Sequence, residues 1–200
     1  MRNDTERLAA VFHDIDAAND ADPRRVDGRA YETVYAERMT EQLARLYPNA
    51  SALLKIAARA QHLKRWEIPR TRYPEGRIGY DSWRKACRAH HAALVSDILS
   101  RHGYAEPEIG QVAKLIRKEE LKRDPESQAL ENVVAIVFVE HYIGEFLAKY
   151  AQLPEDKLID ILVKTLRKMS AEGHEAALAL SLPDDVRVLI NKAVGRLVKK

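Results

Sequence analysis

The sequence predicts an all-α protein: a single-domain helical bundle of about eight to nine helices spanning residues 1–200. Three observations carry that reading. Apolar residues recur at intervals of three and four along most of the chain, and strand-type alternation clusters nowhere. Glycine and proline number only eight each among 200 residues and aromatic residues make up 6%, too few turn formers and rings for a β-rich fold. Charged residues reach 32% yet sum to only +3, the balance of long helices with mixed-sign outer faces. At 46% apolar, a chain of this length suffices for one well-packed core.

The first helix runs from about Thr5 to Ala18 on the stripe Leu8, Val11, Phe12 and Ile15. It stops in the turn-rich Asn19-Asp20-Ala21-Asp22-Pro23, a loop that continues to Gly28. A second helix covers Tyr31 to Leu46, with Val34, Tyr35, Met39, Leu43 and Leu46 inward, and Pro48 and Asn49 break it. A third starts near Ala50-Ser51 and ends before Pro69, because the residue preceding a proline avoids the α region. Ile68 to Gly79, with Pro69, Pro74, Gly76 and Gly79, reads as a loop of the length that is often functional. Tyr80 to His102 is helical along Trp83, Cys87, Leu94 and Ile98, closed by Gly103 as a C-terminal cap. The next helix, Pro107 to Leu121, presents Ile109, Val112, Leu115 and Ile116. Asp124-Pro125 restarts a helix with a carboxylate cap and a proline at the first helical position. That helix runs to about Tyr150 and is apolar on nearly all sides between Val133 and Val139, which makes it central in its domain. Pro154 opens a helix through Met169 on Leu158, Ile161, Leu162 and Thr165, and Glu172 to Lys200 forms two short helices split at Pro183. No internal repeat, low-complexity segment or domain boundary is visible.

Several function classes fall away at this level. The lone Cys87 excludes an internal disulfide and a cysteine zinc cluster, and its place in a helical, partly apolar pattern suits inert packing. Met1 to Asp16 interrupts its apolar residues with acids, unlike a signal peptide. The longest apolar run, Val133 to Val139, is too short to span a bilayer. The expectation is a soluble cytoplasmic protein with no membrane partner. The slight excess of positive charge permits nucleic-acid contact without favouring it, since the chain has no basic tail and no aromatic–basic interleaving of an RNA-binding type. There is no phosphate-binding glycine motif, no Gly-x-Ser-x-Gly, no His-Glu-x-x-His and no Cys-x-x-Cys.

One stretch does carry chemistry. From Arg59 to Arg88 there are nine lysines or arginines and three acids (Glu67, Glu75 and Asp81), an excess larger than that of the whole chain. A concentration of guanidinium beside a histidine suggests a site for a small anionic ligand. His62, at the end of the third helix, would share a face with Arg59 and Arg65, as a metal ligand or an acid/base group among anion-binding neighbours. The plainer reading is a capping or hydrogen-bonded core histidine. His91 follows the buried stripe of Cys87, Leu94, Val95 and Ile98; it either joins His62 on a metal or donates to a backbone carbonyl. Glu131 enters the most apolar helix and, if inside, must meet a cation, a metal or a donor. His141 lies on the stripe of Leu130, Val134, Val137 and Phe138, where a satisfied core or rim histidine is the favoured reading. Glu37 is either buried against an arginine or, more plainly, a surface acid paired along its helix. The loop and the helix start after it bring Arg65, Arg70, Arg77 and Arg84 together with Tyr80 and Trp83, which can clamp phosphate or carboxylate and stack on a ring. The expected centre is thus His62, His91 and Glu131 at the foot of a guanidinium-lined pocket, with a divalent metal as the candidate cofactor.

The segments Val34-Tyr35-Ala36-Glu37-Arg38-Met39, Ala57 to Arg70, Tyr73-Pro74 with Arg77, Gly79-Tyr80 and Trp83-Arg84, and Leu121-Lys122 with Asp124-Pro125-Glu126 and Gln128 resemble those of a known group. So do Leu130-Glu131, Val137-Phe138, Glu140-His141 and Lys164 with Arg167-Lys168-Met169-Ser170. They are similar to a helical family of unknown function whose members are often labelled glutamyl-tRNA synthetase-like, and the likeness runs over nearly the full length. A more distant resemblance is to the HD superfamily of metal-dependent phosphohydrolases, which implies an HD-like core. In those proteins a helix like Ala57 to Leu63 ends in adjacent His and Asp ligands. Here the pair is Gln61-His62 or His62-Leu63, without the aspartate; His91 and Glu131-Asn132 are the nearest equivalents of the later ligands, and Asn132 stands where an aspartate is usual. A neutral amide is a poorer ligand for a divalent ion than a carboxylate. The resemblance implies a metal-dependent hydrolase of a small phosphorylated or carboxylated metabolite. The alternatives are a metal-free anion-binding or regulatory module on a degenerate HD-like scaffold and, after it, a nucleic-acid-associated protein.

Overall fold

The computed structural model describes residues 4–198, and these form ten α-helices and one minimal hairpin. The chain divides into two compact units, the first ending at Glu120 and the second beginning at Leu121. The all-α expectation holds. The helices outnumber the expected eight to nine because a single helix expected from Pro125 to Tyr150 is divided.

In the first unit, α1 (Asp4–Asn19) buries Val11 and Ile15. A two-residue hairpin follows, β1 (Arg25–Val26) pairing antiparallel with β2 (Arg29–Ala30). Its loop is Asp27-Gly28, with both residues at positive φ, 50° and 76°; Asp-Gly is a pair that tight hairpins select because those angles cost it little. The hairpin runs directly into α2 (Tyr31–Leu46), which buries Tyr35, Met39 and Leu43. Its bounds are the expected ones. Ser51 caps α3 (Ala52–Arg59) through its hydroxyl, which accepts from the Leu54 amide at 3.0 Å.

The third helix ends well before the expected stop at Pro69. Helix-forming residues continue through Leu63, but tertiary bonds override propensity. Asn19 Oδ1, at the end of α1, accepts from the Lys64 amide at 3.0 Å, and Lys64 takes the left-handed conformation. The chain then winds through short 3-10 turns at Arg65–Glu67 and Arg70–Arg72. Arg70 Nη1 donates to the Tyr73 carbonyl at 2.8 Å, and Trp83 Nε1 donates to the Ile68 carbonyl at 2.8 Å, so the loop is pinned at both ends.

Helix α4 (Gly76–Arg101) starts four residues earlier than the periodicity suggests. Its first turn closes on the loop at Gly79, where a Cβ would lie 1.9 Å from the Pro74 carbonyl oxygen. Gly103, at φ 71°, turns the chain after α4. Helix α5 (Glu106–Arg117) then packs chiefly on α4 and α3 through Val112, Leu115 and Ile116.

The second unit opens as expected. Asp124 Oδ1 accepts from the Glu126 amide at 3.0 Å, with Pro125 first in α6 (Pro125–Val137). Val133, Ile136, Val137 and Val139 are buried, which fits the all-round apolar pattern. A π-helical turn at Phe138–Tyr142 separates α6 from α7 (Ile143–Lys149). Helices α8 (Glu155–Leu166), α9 (Ala171–Leu178) and α10 (Asp184–Val198) complete the unit. Residues 199 and 200, the end of the expected last helix, lie outside the described residues. Among those described, no helix is long and apolar enough to cross a membrane.

Candidate functional site

The tight turns after α3 carry His62 away from helical geometry. Its ring stacks on Tyr35 of α2, with centroids 3.8 Å apart and planes within 11°. A guanidinium nitrogen of Arg65 lies against both ring nitrogens. The expected face of Arg59, His62 and Arg65 is not formed. Because α3 stops at Arg59, that guanidinium turns to α1 and holds Asp16 through two bonds of 2.8 and 2.7 Å.

His91 projects from α4 with its centroid 6.1 Å from that of His62. It is buried, and its Nδ1 donates to the Leu63 carbonyl at 2.7 Å, leaving Nε2 as the nitrogen with a lone pair. The bond to a backbone carbonyl that the sequence offered is formed, and it is compatible with Nε2 acting as a ligand. The adjacent His90 faces Glu67, at 3.1 Å.

Both central imidazoles are held neutral. Burial first, then the cations of Arg65, Arg84, Lys118 and Arg24, push His62 well below the ordinary histidine value. Burial, and then the neighbouring His62 ring, lower His91 to about 3. Burial also raises the thiol of Cys87, which is enclosed in α4, so it is not a ready nucleophile.

The expected arginines sort into separate roles. Arg65 stacks over Trp83, with its guanidinium carbon 4.8 Å from the ring centroid. Arg84 is half-buried and close enough to lower His62. Arg70 braces the loop through the Tyr73 carbonyl rather than facing the histidines. Arg77 is 93% exposed beside Asp81, at 3.7 Å. Tyr80 is 45% exposed and lies against Trp83 at 5.7 Å between centroids. Glu37, half-buried, pairs with Arg29 of the hairpin at 2.5 Å rather than along its own helix. His141 is exposed, within the π-helical turn.

Glu131 is buried, but it belongs to the second unit, whereas His62 and His91 belong to the first. Among the described residues, no group of three or more His, Cys, Asp or Glu side chains is arranged to hold a metal ion. Asn132, the other residue of the HD comparison, has a structural partner: its Nδ2 donates to Ser170 Oγ at 2.8 Å and its Oδ1 accepts from the Ser170 amide at 3.0 Å.

Beside His62 lies a carboxylate outside the expected set. Glu32, in the first turn of α2, is 1% exposed. Arg24 Nη2 donates to its Oε1 at 2.6 Å while also holding the buried Asp22 at 2.7 Å. Glu32 Oε2 lies 3.3 Å from His62 Nδ1. Burial raises the Glu32 pKa against the pull of Arg24 and Arg65. The signal was present: Glu32 precedes Tyr35, Ala36 and Met39 by three, four and seven residues, on the inward stripe of α2.

Residues 9–190 match a family described as a domain of unknown function, DUF4202. No curated protein and no solved structure matches the chain. The match supports the family of unknown function and lends nothing to the glutamyl-tRNA synthetase-like label or the HD resemblance. Covering 9–190 of 200 residues, it shows that the chain belongs to the DUF4202 family.

Proposed function

We propose that the first unit binds a small oxyanion, phosphate or carboxylate, at a metal-free centre made by Arg65, Arg84 and His62. The supporting observation is a contrast among the arginines. Arg24, Arg29 and Arg59 each hold carboxylates. Arg65 and Arg84 form no ion pair with any described carboxylate, although both act on the neutral His62. Arg65 acts on Glu32 without forming an ion pair with it, and a guanidinium kept partly from water without a paired anion is costly, so an oxyanion would relieve that cost with charge-assisted hydrogen bonds. The metal-dependent hydrolase that the HD resemblance implies needs three donors around one ion, and the grouping of side chains favours the metal-free reading.

The test is calorimetric titration with inorganic phosphate at constant ionic strength, alongside a sodium chloride control. Phosphate is expected to bind and to raise the melting temperature beyond the control. Arg65→Gln and Arg84→Gln are each expected to weaken binding at least tenfold, the loss expected of one charge-assisted contact. Equal responses to phosphate and chloride would refute the reading.

A further inference from the structure

Glu32 has one oxygen committed and one not. Oε1 takes the Arg24 hydrogen bond. Oε2 is buried and receives no hydrogen bond. Its 3.3 Å contact with His62 Nδ1 is not aligned as a hydrogen bond, and with the imidazole neutral it is not an ion pair either. Buried carboxylate oxygens are nearly always satisfied, because desolvation without a donor is expensive. This acceptor touches the same ring that Arg65 covers.

The geometry points to Glu32 Oε2 as a second recognition element of the oxyanion site, one that accepts a hydrogen bond from the ligand. The ligand class narrows accordingly: a small carboxylate or phosphonate-type anion that also carries a hydroxyl or ammonium donor next to its charged group. The guanidiniums of Arg65 and Arg84 take the anionic end and Glu32 reads the donor. A hydroxy acid or an amino acid satisfies both, whereas a bare alkyl anion leaves Oε2 without a donor. This inference rests on the oxyanion reading given above.

Matched pairs of anions separate the two claims. Propionate is compared with lactate, and methylphosphonate with hydroxymethylphosphonate, each by calorimetry at one pH and ionic strength. Within each pair, the hydroxyl-bearing anion is expected to bind about tenfold tighter, as one hydrogen bond to a charged acceptor gives. Glu32→Gln is expected to bring the ratio close to one. Arg24 still needs an acceptor, so the amide oxygen faces it and the amide NH2 takes the place of Oε2. The wild-type ratio decides the matter even if that variant misfolds. Binding of all four anions with no preference for the hydroxyl would overturn the role of Glu32 and leave the oxyanion site standing. Binding of none would overturn both.

Discussion

At His91 the fold holds an imidazole neutral inside the first unit, and that has a consequence for acid stability. Burial and the His62 ring lower its pKa to about 3, from the usual 6.5. The folded state therefore binds this proton later than the unfolded chain does. The stabilising contribution is complete above about pH 6.5 and is lost as the pH falls from there towards about 3, at up to ~1.4 kcal/mol per pH unit for one group. His62 is displaced in the same direction and adds to the effect. Urea unfolding measured between pH 7 and 4.5 is expected to show a falling free energy. His91→Asn keeps a donor for the Leu63 carbonyl but removes the titration, so it is expected to have a shallower slope on a lower baseline. A slope unchanged by the substitution would show that His91 titrates normally. The cationic surroundings of His62 were legible in part, since Arg65 and Arg84 of the basic stretch both act on it. Glu32 carried only a weak signal, its place on the inward stripe of α2, because an acid in the first turn of a helix already has an ordinary explanation in the helix dipole; its packing against Arg24 and His62 is tertiary.

At the scale of elements, two joints fix the local geometry. One is the closure of the loop before α4 onto Gly79. Gly79→Ala drives a methyl group to 1.9 Å from the Pro74 carbonyl oxygen, a backbone atom that no rotamer change can move aside, so the loop must move. The expected cost is about 1–3 kcal/mol, the range of overpacking, read as a lower midpoint in thermal melts. Because Trp83 and Arg65 lie beside that loop, phosphate affinity is expected to fall with it. The other joint is Asn132, which ties α6 to Ser170, the N-cap of α9. Gln128 Nε2 also donates to Asn132 Oδ1, at 3.1 Å. Asn132→Ala strands these partners and is expected to cost about 1–3 kcal/mol, with no change in anion binding by the first unit. The bounds of α2 and the Asp124-Pro125 restart were legible because local chemistry decides them. The end of α3 and the π-helical turn after α6 were not. After α3 the chain turns to let the Lys64 amide donate to Asn19, some 45 positions away, a tertiary bond that no local pattern announces, and nothing in Phe138 to Tyr142 marks the extra residue that widens the turn.

At the scale of the whole molecule, composition runs evenly across residues 120 and 121, with no linker or shift in charge, so the division into two compact units could not be read from the sequence. The clustering of charge could, since the cationic excess of residues 59–88 exceeds that of the chain. Every residue of the proposed oxyanion centre, Glu32, His62, Arg65 and Arg84, belongs to the first unit. A ligand that binds only the folded first unit stabilises it by mass action, by about 2.7 kcal/mol at a hundred times its dissociation constant. Hydrogen exchange reads where that energy acts, because amides exchange through the opening of the unit that holds them. With saturating phosphate, peptides from α2, α4 and α5 are expected to exchange more slowly, whereas those from α8 and α10 keep their rates. Equal slowing in both units would mean that they open together as one cooperative domain. Slowing confined to the second unit would remove the oxyanion centre from the first.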